Sequence, residues 1–157
     1  VLKARAGESG YIVKYDRGGS LFEGQQRGGK PFGYGVVSLT SGTRYSGMWS
    51  LDRIEGLGVY TYSADPTLER YEGEVLGKGP NGMGVLYFRD GRFLRGAILG
   101  PNTNGAVILE SAAGERMEGE YNLTDGFNGF GAQWAADGAL RGQGIWTRGT
   151  LTTPLSP

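Results

Sequence analysis

Two Glu-Gly-Glu triplets, Glu72-Gly73-Glu74 and Glu118-Gly119-Glu120, are the residues whose type and spacing come nearest to a catalytic pair. Paired carboxylates can serve as general acid and base. In an extended strand, however, residues two apart share a face by alternation alone. The column that holds Glu72 and Glu118 holds Arg95 and Arg141 elsewhere, so a solvated face of mixed charge accounts for them. The chain has no histidine and no cysteine. That removes the commonest general base, the commonest metal ligand and all thiolate chemistry. Lys3, Lys14, Lys30 and Lys78 sit in no catalytic motif, and Asp52, Asp65, Asp90, Asp125 and Asp137 fall where turns need them. They do not gather the oxygen ligands that calcium requires. No catalytic, cofactor-binding or metal-binding residue is assigned, and the expectation is a chain that is not an enzyme.

The elements that must carry these residues follow from composition. Of 157 residues 31 are glycine, against an average of about 7%, and 18 are aromatic. Many glycines together with many aromatics point to short strands joined by tight turns. Basic and acidic residues balance at 16 each, and no basic stripe of the kind a nucleic-acid backbone needs is present. No apolar run approaches the roughly 20 residues of a membrane-spanning helix. No signal-peptide pattern is visible, although the chain opens on Val1, as a processed protein or a piece of a longer one would. A soluble or peripheral, intracellular protein is expected.

The chain repeats. Gly24, Gly47, Gly73, Gly96, Gly119 and Gly142 are separated by 23, 26, 23, 23 and 23 residues, and the long step holds the insertion Ser63–Leu68. Two residues before each glycine stand Phe22, Tyr45, Tyr71, Leu94, Met117 and Leu140, all large and apolar or aromatic, with polar residues between. This period of two marks a strand with one buried face. Each unit then resumes with Gly33-Tyr34-Gly35, Gly56-Leu57-Gly58, Gly82-Met83-Gly84 or Gly129-Phe130-Gly131, followed by a β-rich run. The pairs Ser41-Gly42, Asp90-Gly91, Ala113-Gly114 and Asp137-Gly138 close the units. They predict two-residue hairpin turns with φ > 0 at both central positions. Pro31, Pro80 and Pro101 are expected in the loop inside each unit, where a missing N–H costs no ladder bond. Gly10–Tyr15 reads as a lone second strand before the first full unit. The predicted organisation is an N-terminal segment 1–9, a repeat domain 10–149 and a mobile tail 150–157.

Tyr71-Glu72-Gly73-Glu74, Asn81-Gly82-Met83-Gly84 and Asp90-Gly91 together resemble the MORN (membrane occupation and recognition nexus) repeat, and Tyr45-Ser46-Gly47-Met48-Trp49 matches its first half. The resemblance covers about residues 10–149. Departures are Leu94, Met117 and Leu140 in place of the ladder tyrosine, Val107 in place of a glycine, and Val75, Ile98 and Tyr121 in the Trp49 column. The resemblance implies an all-β, single-layer antiparallel sheet of about six stacked hairpins, open and twisted or rolled. It also implies a scaffold that joins proteins, sits near membranes or precedes a catalytic domain.

The residues at 22, 45, 71, 94, 117 and 140 are expected to form a hydrophobic ladder, with edges that could touch a partner. Trp49, Tyr60, Tyr62, Tyr87, Phe88, Trp134 and Trp146 form a second aromatic set that could serve as interface residues. A protein partner is the leading expectation, with edge-to-edge self-association as an addition. The alternatives are a peripheral lipid-facing module and an accessory or ligand-binding domain.

Overall fold

The computed structural model describes residues 8–100 and 105–155. The chain divides into two compact units, residues 1–79 and 80–157. In the first, β1 (Ser9–Tyr15), β2 (Leu21–Arg27), β3 (Lys30–Ser38), β4 (Thr43–Ser50), β5 (Arg53–Tyr62) and β6 (Leu68–Leu76) pair in sequence order. In the second, β7 (Gly79–Phe88), β8 (Phe93–Ile98), β9 (Gly105–Glu110), β10 (Arg116–Asn122), β11 (Gly126–Trp134), β12 (Leu140–Thr147) and β13 (Thr150–Pro154) do the same. Each unit is a single-layer antiparallel sheet. The described residues contain no α-helix. The segment expected as a mobile tail contains β13, paired on β12.

Two kinds of turn alternate, and they are distributed differently from the sequence expectation. Gly28-Gly29, Leu51-Asp52 and Arg148-Gly149 have φ of 60° and 79°, 46° and 74°, and 50° and 76°. These are two-residue turns of the type whose twist matches the flanking strands. They occupy the place expected to be a looser loop. With the turn this short, Pro31 and Pro80 fall inside β3 and β7, not in a loop; Pro101 lies outside the described residues. The pairs Ser41-Gly42, Asp90-Gly91, Ala113-Gly114 and Asp137-Gly138 form three-residue turns instead, with positive φ at the glycine alone. In the first of them Leu39 N–H donates to Thr43 O at 2.8 Å and Gly42 N–H to Leu39 O at 3.0 Å. The same two bonds recur around Gly19, Gly91, Gly114 and Gly138. A single left-handed residue ends such a turn, and glycine fits there without strain.

Register converts the sequence repeat into a row. Gly24, Gly35, Gly47, Gly58 and Gly73 stand opposite one another from β2 to β6. Gly84, Gly96, Val107, Gly119, Gly131 and Gly144 do so from β7 to β12. The last unit is therefore in a different phase from the expectation. Gly144, not Gly142, faces Gly131, because the step from Gly119 to Gly131 is one residue longer than in the other units and the β11–β12 register slips by one more between Gln133 and Trp134. Leu140 pairs with Trp134, which faces away from the ladder, and it is 46% exposed.

Candidate interaction surface

On one face of each sheet, large side chains lie down across the glycine row. The Phe22 ring covers Gly24 and Gly35, the Tyr45 ring covers Gly47 and Gly58, Trp49 lies over Gly35, and Trp146 lies over Gly131. A Cβ on Gly58 would overlap the Tyr45 ring. The missing side chains are what let a one-layer sheet enclose an aromatic ring. Tyr45, Tyr71 and Leu94 are 0% exposed. Tyr45 Oη donates to Met48 O at 3.0 Å and Tyr71 Oη to Glu74 O at 2.8 Å, the same three-residue reach in two repeats. Edge-on and tilted ring pairs link Phe22 to Trp49 at 5.0 Å, Tyr45 to Trp49 at 5.8 Å and Tyr45 to Tyr60 at 4.9 Å. Burial pushes the Tyr45, Tyr60, Tyr62 and Tyr71 phenols up to about 12, because the phenolate would lose its hydration.

Most of the second aromatic set belongs to this face, not to a free surface. Tyr60, Phe88 and Trp146 are buried, and Trp146 Nε1 donates to Gly131 O at 3.0 Å. Tyr62 is half-buried on this face; Tyr87 and Trp134, three residues past Gly84 and Gly131, are half-buried on the opposite face, where Trp134 carries the Arg116 guanidinium 4.6 Å above its ring. Trp49 is half-buried, and its Nε1 is enclosed without an acceptor. Phe22 is buried and Met117 half-buried. The core also takes residues that the apolar column two before each anchor glycine does not contain: Val75, Ile98 and Tyr121, in the tryptophan column, with Leu86, Val107 and Phe127.

The opposite face is the one that meets solvent. There the middle residues of the Gly-x-Gly triplets are exposed: Tyr34 by 54%, Leu57 by 65%, Met83 by 61% and Phe130 by 53%. Tyr11, Met48 and Ile145 extend the set and are also exposed. The reason is the pleat. The second glycine of each triplet belongs to the row on the ladder face, so the residue before it must point the other way. In the first unit Tyr34 pairs with Met48 on β4, and Tyr34 Oη and Ser46 Oγ share a hydrogen bond. In the second unit Met83, Val85, Ala106 and Ile108 floor an open groove of about 690 Å³, with Arg95 and Glu118 beside them. The phase of the triplets held this signal, since an apolar residue one position before a row glycine falls on the outward face by alternation.

The carboxylate triplets make ion pairs. Arg70 Nε lies 2.6 Å from Glu72, and Arg116 lies 3.1 Å from Glu118. Among the described residues no group of three or more Asp or Glu could hold a metal ion. Among the same residues, no helix is long and apolar enough to cross a membrane.

Fold and surface together define an all-β protein of stacked hairpin repeats, cored by rings laid on glycines. Residues 22–44, 45–64 and 71–91 each match the family model of the MORN repeat; this chain carries three consecutive MORN repeats, and the glycine row continues beyond them through β12. No curated protein matches the chain. MORN repeats are non-catalytic modules found in protein and membrane interactions.

Proposed function

We propose that this chain is a non-catalytic scaffold that holds a protein partner against the Gly-x-Gly face. The observation that carries this reading is the exposed apolar row of Tyr34, Met48 and Leu57 in the first unit and of Met83 and Phe130 in the second. Solvent-facing apolar residues recurring in phase suit an apolar protein surface. They suit an anionic lipid surface poorly, which calls for a basic cluster, whereas basic and acidic residues balance at 16 each. The ladder tyrosines serve the scaffold by fixing the row in place.

The test compares the tagged chain with a Leu57→Ser, Met83→Ser, Phe130→Ser variant, using pull-down from the native source and sedimentation with vesicles of graded anionic-lipid content. A stoichiometric protein recovered with the chain and lost with the variant, whose circular dichroism is unchanged, supports the scaffold. Vesicle binding without any such protein overturns it in favour of a lipid-facing module. Tyr45→Ala is unsuitable as a probe, because it empties the core.

A further inference from the structure

On the solvent-facing side of the second unit, the charges are arranged in a way that selects an occupant. From β7 to β11 the register sets Val85, Arg95, Ile108, Glu118 and Ala132 side by side. Each stands one residue along from the row that faces the ladder, so all five point the other way. Ile108, on β9, is the centre of this line. Arg95 lies one strand to one side of it and Glu118 one strand to the other, with side chains 47% and 38% exposed. Equal distances from β9 thus carry opposite signs.

A two-fold axis parallel to β9, lying between two facing sheets, exchanges β8 with β10 and β7 with β11. It keeps each residue at its own level along the strands. It therefore sets Arg95 against Glu118 of a second copy, and Glu118 against that copy's Arg95. An axis across the strands would set Arg95 against Arg95 and Glu118 against Glu118, so the charges choose between the two. The neighbouring lines agree with the choice. Nearer the three-residue turns, Tyr87, Phe93, Glu110, Arg116 and Trp134 stand side by side. There the axis sets Tyr87 against Trp134 and Phe93 against Arg116, an aromatic pair and a cation–π contact. Towards the two-residue turns it sets Met83 against Phe130, which are 61% and 53% exposed, a sulfur–aromatic contact. Ile108 meets its own copy on the axis. So does Glu110, the one like charge, and Arg95 of the same chain lies 3.8 Å from it.

We propose that this face pairs with the same face of a second copy, about a two-fold axis along β9. Such a dimer rests on the reading of the Gly-x-Gly face as an interaction surface and gives the second-unit part of that face its occupant. Tyr34, Met48 and Leu57 of the first unit stay with the scaffold's other partner. The two sheets pack nearly aligned, as facing sheets do, and the contact is isologous and closes at two copies. Five strands about 4.8 Å apart and three lines about 7 Å apart span roughly 400 Å². That is below the roughly 800 Å² per partner of a standard interface, so the dimer is a weak one.

Sedimentation velocity of the purified full chain at about 100 μM, a concentration chosen for a weak interface, should show twice the monomer mass. Arg95→Glu and Glu118→Arg should each give a monomer with unchanged circular dichroism, because each sets like charges face to face twice. An equimolar mixture of the two variants should recover the dimer, since every facing pair is then of opposite sign. The doubly reversed chain should recover it as well. A monomeric wild-type chain at that concentration, a dimer that survives either single reversal, or a mixture that stays monomeric would overturn the proposal. A monomeric chain that still recovers another protein from the native source removes the second copy and leaves the scaffold; a dimer that recovers none does the reverse.

Discussion

The Tyr45 ring rests on Gly58 of the adjacent strand so closely that a Cβ there would overlap it. Gly58→Ala should therefore destabilise the chain by roughly 1–3 kcal/mol, the usual cost of overpacking. Gly79→Ala, where an added Cβ meets nothing within 4 Å, should stay within about 0.5 kcal/mol. Urea melts of the two variants check the contrast, and equal losses would refute the packing account.

Trp49 and Trp146 each stand two residues beyond a row glycine, yet only Trp146 donates its indole N–H, to Gly131 O at 3.0 Å. Trp146→Phe leaves a buried carbonyl without its donor and should cost roughly 1–3 kcal/mol more than Trp49→Phe, which removes an unpaired buried donor. Matched denaturant titrations measure the difference.

Alkali should unfold the ladder. The Tyr45, Tyr60, Tyr62 and Tyr71 phenols sit at about 12 in the folded chain, against 10 for a free phenol. Below pH 10 they are protonated in both states and their contribution is fully present. It is lost as the pH climbs through about 12, because the unfolded chain ionises first. Thermal melts between pH 8 and pH 12, followed beside tyrosinate absorbance, should show the midpoint falling only above pH 10.

Leu51 and Asp52 hold φ of 46° and 74° in the β4–β5 turn, a region that side chains enter at a cost. Replacing the pair by Asn-Gly should stabilise the chain by about 1 kcal/mol, a rise of roughly 2–4 °C in Tm. An unchanged or lower Tm in a differential scan would mean that Leu51 contributes packing beyond its turn.

Most of the fold was legible because a step of 23 residues fixes both the period of the hairpins and the phase of the glycines. Phe22, Tyr45, Tyr71 and Leu94 could be placed on a buried face by alternation alone, as could the strands that carry them. Turn type was less legible. Asp90-Gly91 is compatible with a two-residue or a three-residue turn, and the count of residues between paired strands decides between them. The phase of the last unit was also hidden, since Gly142 and Gly144 both suit an anchor until the extra residue between Gly119 and Gly131 and the slip at Gln133–Trp134 together select Gly144.

By itself, then, the sequence determined the repeat, its period and the chemistry absent from it, because these depend on residue type and spacing along one strand. Which aromatics remain available to a partner was decided only by the tertiary structure. Burial depends on the neighbouring strand: Tyr60 and Trp146 are closed in, whereas Tyr34 and Phe130 are turned to solvent because the row glycine that follows each, Gly35 or Gly131, lies on the ladder face. A strand has no inside until its neighbours are in register.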